Sequence, residues 1–242
     1  MMVKRLSSKY EAFSYLYEAM NYDIPYSLWI DIIESFNKNT SILDVGCGTG
    51  EILKQLTASK KIGIDNSETM IEIATRNDDS SQYFVNDMKN FKLNESFDLV
   101  IATVDVLNYV EDLDSFKRVL LNVYEHLNDD GVFIFDIHSE SKVNAMIEGE
   151  MFTDESDDFV YIWNTVKDDD LSLHHELTFF IKNEDDLYER YFESHYQRTF
   201  THDTVLNVLQ ALNFKLVKAF SDFDSDGTIR DYSERTFYIV KK

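Results

Sequence analysis

Three glycines lie within five residues of a chain that has only seven, at Gly46, Gly48 and Gly50. Glycine lets the backbone turn sharply and lets a ligand approach backbone that a Cβ would block. An apolar, strand-like run that contains the acid Asp44 precedes them, and Glu51 begins a stretch with helical spacing. A strand, a glycine-rich turn and a helix in this order favour a binding loop for a nucleoside-like cofactor.

The spacing of the glycines separates the classes of nucleotide loop. A dinucleotide site has the pattern Gly-x-Gly-x-x-Gly, which places a pyrophosphate at a helix N-terminus. The third glycine would then fall at Glu51, whose carboxylate repels a pyrophosphate. A P-loop is excluded because no Gly-Lys-Ser/Thr follows. The loop therefore favours a nucleoside without a diphosphate.

Two further acids follow predicted strands. Asp65 ends the run 61–65, and a carboxylate at a strand end can accept two hydrogen bonds from a ribose diol. An acid placed at a helix start by the helix dipole is the alternative interpretation of Asp65. Asp87 and Met88 come directly after a third run, 82–85, where they are either ligand contacts or surface loop.

Strand and helix patterns alternate through the middle of the chain. Strands are predicted at 41–45, 61–65, 82–85, 97–102 and 131–137, and helices at 50–58, 67–76 and 112–127. Several of these strands are almost continuously apolar, as in strands that are buried on both faces. The alternation predicts an α/β fold with a doubly wound, mostly parallel sheet.

The flanking segments complete one predicted domain, 1–242. Residues 9–38 have the spacing of two helices that break near Pro25, and we expect a helical lid over 1–39. The core spans 40–138. Three β-rich runs within 150–200 predict an inserted antiparallel meander that covers the substrate, and 201–242 supplies a helix and the last two strands.

The segment Ile42–Gly50 resembles the glycine loop of the class I S-adenosylmethionine (SAM)-dependent methyltransferases. That resemblance implies a Rossmann-like fold with a seven-stranded sheet and SAM as the cofactor. In the family the loop passes under the methionine and ribose portion of SAM, and the acid after the third strand takes the adenine amino group. The resemblance implies the cofactor-binding residues Asp44, Gly46, Cys47, Gly48, Gly50, Asp65, Asn66, Met70, Asp87, Met88, Ala102 and Thr103.

Methyl transfer from a sulfonium is an in-line displacement, so the protein mainly has to align the acceptor atom. A general base is needed only where the acceptor arrives protonated. The candidates for catalysis are His138, Tyr109 and His195, and those for substrate contact are Tyr17, Asn108, Tyr196 and Arg198. Each has a structural alternative, such as a histidine bonded into a loop or an arginine paired with one of the many acids.

Composition limits the kinds of molecule that the protein is expected to bind. The chain has 23 basic and 45 acidic residues, for a net charge of −22, which disfavours nucleic acids and anionic membranes. The only cysteine, Cys47, allows no intrachain disulfide and suits a cytoplasmic protein, and no His/Cys cluster indicates a metal.

The predicted function is SAM-dependent methylation of a small molecule, with preference for an amine or a carboxylate-bearing acceptor. RNA or protein methylation, and a SAM-binding regulatory protein without turnover, remain alternatives. A nicotinamide-dependent oxidoreductase is a distant third, because Glu51 opposes a pyrophosphate. A monomer and a homodimer are both compatible with the sequence.

Overall fold

A computed structural model describes residues 24–38, 40–149, 151–155, 159–183 and 185–242. Contacts divide the chain into two compact units. One contains Pro25–Lys142 and Arg198–Lys242, and the other contains Val143–Gln197.

The helices and strands follow one another along the chain as the alternating pattern predicts. The helices are α1 (Tyr26–Glu34), α2 (Glu68–Asn77), α3 (Leu113–His126), α4 (Glu140–Ile147) and α5 (His202–Ala211). The strands are β1 (Ser41–Val45), β2 (Lys60–Asp65), β3 (Gln82–Val85), β4 (Phe97–Ala102), β5 (Leu127–His138), β6 (Met151–Glu155), β7 (Phe159–Lys167), β8 (Ser172–Lys182), β9 (Tyr188–Arg198), β10 (Lys215–Ser221) and β11 (Arg235–Lys241).

The first unit is built on a seven-stranded sheet with the order β10-β11-β5-β4-β1-β2-β3. Neighbours are parallel from β5 to β3, and β11 is antiparallel to both β5 and β10. The chain runs outward from β1 to β3 and then returns to β4 on the other side of β1. Ligands in such sheets bind at this reversal, beyond the carboxyl ends of the strands. The predicted α/β fold with a mostly parallel seven-stranded sheet is confirmed.

The core of this unit lies on the central strands. Leu43, Val100 and Phe133 stand next to one another on β1, β4 and β5 and are fully buried. Because helices cover these strands, their sequences are nearly continuous apolar runs rather than alternating ones.

Helix ends agree with the local sequence. The Ser67 hydroxyl accepts a hydrogen bond from the Met70 N–H at 3.3 Å and begins α2 as an N-cap. Asn213 follows α5 with φ +64°, in the left-handed conformation that usually ends a helix with glycine and that asparagine also tolerates.

The helix predicted at 50–58 is wrong. The glycine loop is followed by a single 3-10 turn, Leu53–Gln55. A longer helix would join the Thr57 N–H to the Leu53 carbonyl. The Thr57 N–H instead donates to Glu34 Oε1 at 3.2 Å, and the Leu53 carbonyl accepts from Lys61 Nζ at 3.1 Å. Side chains from other elements thus take both groups, and β2 begins at Lys60.

Strand β5 begins earlier than predicted, at Leu127. Its pairing with β4 jumps from Leu127 to Val132 while β4 advances from Phe97 to Leu99, and Asp130 has φ +63°. The segment between the predicted helix at 112–127 and the predicted strand at 131–137 is therefore an irregular bulge within the strand.

The second unit contains a four-stranded sheet with the order β6-β7-β8-β9. β7 pairs antiparallel with β6 and with β8. Alternate residues of β8 are buried, and Leu177, Phe179 and Ile181 pack with Phe159 of β7. The predicted antiparallel insertion is confirmed, but it has one strand more than predicted. The additional strand is β6, which was not predicted because it is short and exposed along its whole length.

Among the residues that the structure describes, no helix combines the length and the apolar character that crossing a bilayer requires.

Candidate functional site

The glycine loop is held against the end of β2 by its backbone. The N–H groups of Gly46 and Cys47 both donate to the Ile64 carbonyl, at 2.7 and 3.0 Å. Gly46, Gly48 and Gly50 have φ values of +77°, +53° and +79°, in the region that other residues rarely adopt. A Cβ on Gly46 would lie 2.4 Å from a methyl group of Val106. Both dihedral angle and packing therefore require glycine here.

Tyr83 packs closely against this loop. A Cβ on Gly50 would lie 2.6 Å from the Tyr83 hydroxyl, and a Cβ on Gly63 would lie 2.7 Å from the ring. The hydroxyl donates to Asp78 Oδ2 at 3.0 Å, which fixes the ring. Sequence analysis missed this residue. Its signal was Gly63 in the middle of a strand, where glycine often marks a close approach by a neighbour.

Asp65 links the loop to α2. Its Oδ2 accepts the Gly48 N–H at 3.0 Å and its Oδ1 accepts the Ser67 N–H at 2.9 Å. Burial raises the pKa of Asp65, although these hydrogen bonds act in the opposite direction. Each carboxylate oxygen keeps a second lone pair, so Asp65 still has the capacity to accept from a ribose diol. The neighbouring Asn66 is exposed.

Asp44 is buried beside the loop. Burial, with a smaller contribution from the charge of Asp65, raises the pKa of Asp44 to about 8. Asp44 therefore carries a proton at neutral pH and can donate a hydrogen bond. Burial, with the charges of Asp44 and Asp65, also raises the pKa of the Cys47 thiol well above its usual range, so the thiol is not a nucleophile.

The third segment at this edge is joined to Asp65 through the backbone. The Asn86 N–H donates to the Asp65 carbonyl at 2.8 Å, and Asp87 Oδ1 accepts the Lys89 N–H at 2.8 Å. Met88 is half-buried against the core and Met70 is half-buried in the first turn of α2. The predicted ribose and adenine residues thus belong to one hydrogen-bonded edge of the sheet.

The chain has an unusual conformation just after β4. Ala102 and Thr103 are buried, and then Val104 and Asp105 have φ values of +61° and +66°. Left-handed backbone at non-glycine residues costs about 1–3 kcal/mol each, and a β-branched valine is especially disfavoured. Both N–H groups donate to Asp136 of β5, to Oδ1 at 2.9 Å and to Oδ2 at 3.3 Å. This single carboxylate holds the turn.

Asp136 is fully buried and lies in a network of charged and polar groups. Trp29 Nε1 of α1 donates to its Oδ1 at 2.9 Å, and Arg235 Nη1 of β11 donates to its Oδ2. The same Arg235 nitrogen donates to Asp105 Oδ1 at 2.7 Å, and the guanidinium lies 4.6 Å from the Trp29 ring centroid. Burial and the charge of Asp105 raise the pKa of Asp136, against the opposite effect of Arg235.

His138 ends β5 next to this network. Its Nε2 lies 3.3 Å from Asp105 Oδ2, and its side chain is 6% exposed. Its Nδ1 is buried and has no hydrogen-bond partner among the described residues. Burial tends to raise the pKa of Asp105, but the charge that His138 carries when protonated and the charge of Arg235 outweigh it and hold that pKa below its usual range. An imidazole nitrogen without a partner can accept a proton from a ligand.

Asn108 supports His138. Its side-chain oxygen accepts the His138 backbone N–H at 3.0 Å, and its Nδ2 donates to the Arg198 carbonyl at 2.7 Å. It is fully buried, so its observed contacts are structural, and substrate contact stays a prediction. Arg198 donates from Nη1 to the Glu111 carbonyl at 3.1 Å and lies over the Phe200 ring.

The other candidates are Tyr109, His195, Tyr196 and Tyr17. Tyr109 is about half exposed in the 3-10 turn Val106–Tyr109. His195 and Tyr196 belong to the unit with the four-stranded sheet, where His195 Nε2 lies 3.0 Å from Glu193 Oε2 and the Tyr196 ring packs on His174. Tyr17, with the rest of the predicted N-terminal lid up to residue 23, lies outside the described residues.

Asp136 and Arg235 were not predicted as site residues, and Trp29 was expected only as part of the helical lid over 1–39. A signal existed, because Asp136 interrupts an otherwise apolar strand, and a buried charge requires a partner. The partner could not be named, since Arg235 is far away in the chain. Within the described ranges, no group of three or more His, Cys, Asp or Glu side chains is arranged to hold a metal ion.

Comparison with known proteins gives a consistent result. Residues 36–194 match the family model described as a methyltransferase domain. A protein from Geobacillus sp. (strain WCH70) named "Putative methyltransferase" is 33% identical in an alignment that covers 96% of this chain and 99% of the relative.

One solved structure is also similar, as is one relative that matches a shorter part of this chain. The crystal structure of an S-adenosylmethionine-dependent methyltransferase from Clostridium acetobutylicum ATCC 824 has a TM-score of 0.84 and 26% identity, covering 97% of this chain and 99% of that chain. A dTDP-4-amino-2,3,4,6-tetradeoxy-D-glucose N,N-dimethyltransferase from Saccharopolyspora spinosa is 34% identical over 98 residues, or 40% of this chain and 39% of the relative.

Proposed function

Because this chain belongs to the SAM-dependent methyltransferase family, we propose that it methylates an amino group on a small molecule. SAM, when bound, supplies a methyl group on a sulfonium, which an acceptor atom takes by in-line displacement. Membership of the family gives the enzyme class and the cofactor. The amino group as the acceptor and the roles of individual residues are proposed.

The residues at the sheet edge fit a sulfonium nucleoside. The loop presents backbone held in glycine-only conformations, Asp65 keeps free lone pairs beside it, and Asp87 is fixed at the end of the next strand. Asp65 accordingly binds the ribose and Asp87 the adenine amino group. Ala102 and Thr103 line the methionine end, with Met70 and Met88 near the adenine.

The observation that carries the amine proposal is the buried, unpartnered Nδ1 of His138 at the carboxyl end of β5. An amine at neutral pH arrives as an ammonium ion and has to lose a proton before it can act as a nucleophile. His138 Nδ1 is a proton acceptor at the edge of the sheet where ligands of such folds bind.

Two other observations support an amino group as the acceptor. The net charge of −22 attracts cations and raises their concentration near the protein. The relative from Saccharopolyspora spinosa is named for transfer to an amino group of a nucleotide-linked sugar. Tyr109, Arg198, Tyr196, His195 and Tyr17 are the remaining candidates for catalysis or acceptor contact under this proposal.

The proposal is tested with tritium-labelled SAM and pairs of small metabolites that differ only in an amino or a hydroxyl group at one carbon. Label should move to the amino compound and not to its hydroxyl twin. His138→Gln should lower kcat without changing the affinity for S-adenosylhomocysteine (SAH), which calorimetry measures. Transfer to the hydroxyl compounds alone, or full turnover by the glutamine variant, would contradict the proposal.

A further inference from the structure

Three charged side chains surround His138 and do not balance one another. Asp105 and Asp136 are two carboxylates that share one guanidinium, that of Arg235. The next charged groups, Lys142 of α4 and Glu234 before β11, pair with each other at 3.4 Å, and the charge of Lys142 also acts on Asp105. Asp105, Asp136 and Arg235 by themselves therefore leave one negative charge, which Lys142 offsets in part.

The geometry directs this charge at the imidazole. Arg235 Nη1 bonds Asp105 through Oδ1, and the other oxygen, Oδ2, faces His138 Nε2. Asp105 is turned this way because Asp136 binds the N–H groups of Val104 and Asp105 and holds both in left-handed backbone. Arg235 also stands directly opposite His138 in the β5–β11 pairing.

The two ring nitrogens of His138 have different surroundings. Nε2 faces the Asp105 carboxylate, whereas Nδ1 is buried and has no hydrogen-bond partner among the described residues. A buried polar atom without a partner is costly. A ligand whose own nitrogen meets Nδ1 would supply the missing partner.

We propose that Asp136 and Arg235 are positioning residues that prepare His138 to take a proton from an ammonium acceptor. This inference rests on the proposed function and adds the groups that make the transfer favourable. Asp136 orients Asp105, Asp105 holds the Nε2–H form of His138, and Arg235 limits the negative charge to one unit. Neither Asp136 nor Arg235 touches the acceptor.

The proton balance is simple. One N–H bond of the ammonium breaks, its electron pair stays on nitrogen, and the proton goes to Nδ1 of His138. The freed pair accepts the methyl group, so the product leaves as a methylated ammonium ion. The imidazolium then returns its proton to water.

The test reads His138 directly by nitrogen-15 NMR of histidine-labelled protein at pH 7, with His138→Gln to assign its signals. The wild-type shifts should show the Nε2–H tautomer. Arg235→Gln leaves two carboxylates without their guanidinium, so the ratio of protonated to neutral His138 should rise about tenfold, as for one pH unit. Asp136→Asn removes a negative charge and should lower that ratio, and Arg235→Lys should keep it near the wild-type value.

Opposite shifts in the two charge variants support the inference, because general loss of structure would move both in one direction. Shifts of the same sign, no shift, or a failure of Lys to replace Arg would overturn it. If Asp136→Asn does not fold, the comparison of Arg235→Gln with Arg235→Lys decides whether the inference holds.

Calorimetry with SAH on the same samples separates this result from the proposed function. Absence of SAH binding in the wild type would overturn the proposed function whatever His138 does. Normal binding with unchanged His138 signals in the charge variants would overturn only the inference.

Discussion

At the residue scale, Asp65 has one observed role and one proposed role. It accepts hydrogen bonds from two backbone N–H groups, and we propose that its remaining lone pairs accept from the ribose. We predict that Asp65→Ala weakens SAH binding by about 1–3 kcal/mol, because charge-assisted hydrogen bonds are lost. Calorimetry measures the effect.

Asp98 provides a matched control for this substitution. It also accepts hydrogen bonds from a backbone N–H and from side chains, but near the amino end of β4, at the opposite end of the strand from the site. Asp98→Ala should lower stability and leave the SAH dissociation constant unchanged. Equal dissociation constants for Asp65→Ala and the wild type would refute the ribose role.

Asp44 predicts a pH dependence of stability. Its pKa is about 8 in the folded protein and about 4 in an unfolded chain. Between these values the native state holds a proton that the unfolded chain has lost, so Asp44 stabilises the fold fully below about pH 4 and this contribution is lost as pH rises through 8.

The measurement is urea unfolding of the wild type and of Asp44→Asn, without cofactor. From about pH 6 to about pH 8 the wild type should lose roughly 2 kcal/mol relative to the variant, which has no such titration. The difference between the two curves isolates Asp44 from the other acids. Parallel curves would show that Asp44 is ionised throughout.

At the element scale, the glycine loop depends on packing as well as on its dihedral angles. Gly46 has φ +77° and would place a Cβ on Val106, whereas Gly149 has φ +90° and no atom within 4 Å of its Cβ position. Alanine at either site forces a left-handed residue, which costs about 1–2 kcal/mol.

We therefore predict that Gly46→Ala is destabilised more than Gly149→Ala, in urea unfolding, by the additional clash with Val106. Only Gly46→Ala should lose affinity for SAH, because its loop must move away from the 3-10 turn that begins at Val106. Equal loss of stability in the two variants would mean that the dihedral angle alone accounts for glycine at 46.

At the scale of the whole molecule, the charge of −22 acts against folding. Like charges repel most strongly in the compact state, and salt screens this repulsion. We predict that the urea midpoint rises when sodium chloride increases from about 20 to about 200 mM. A falling midpoint would mean that attractive ion pairs dominate the surface electrostatics.

Local sequence determined much of the fold and of the sheet edge at which we propose that the cofactor binds. The strand pattern, the N-cap at Ser67 and the glycines at 46, 48 and 50 express dihedral preferences and burial that act within a few residues. For the same reason the family resemblance was readable from one short segment. The helix predicted at 50–58 does not form, and local rules could not show this. Glu34 and Lys61, from other elements, form hydrogen bonds with backbone groups that the helix would have used.

Tertiary structure alone decided the environment of His138. Its surroundings come from Asp136 of its own strand, β5, and from three distant segments: Trp29 of α1, Asp105 after β4 and Arg235 of β11. Spacing along the chain carries no information about such pairs, since they meet only when antiparallel β11 joins a parallel sheet. The sequence by itself indicated the edge of the sheet at which we propose that the nucleoside binds, and the folded sheet determined which charges lie next to His138.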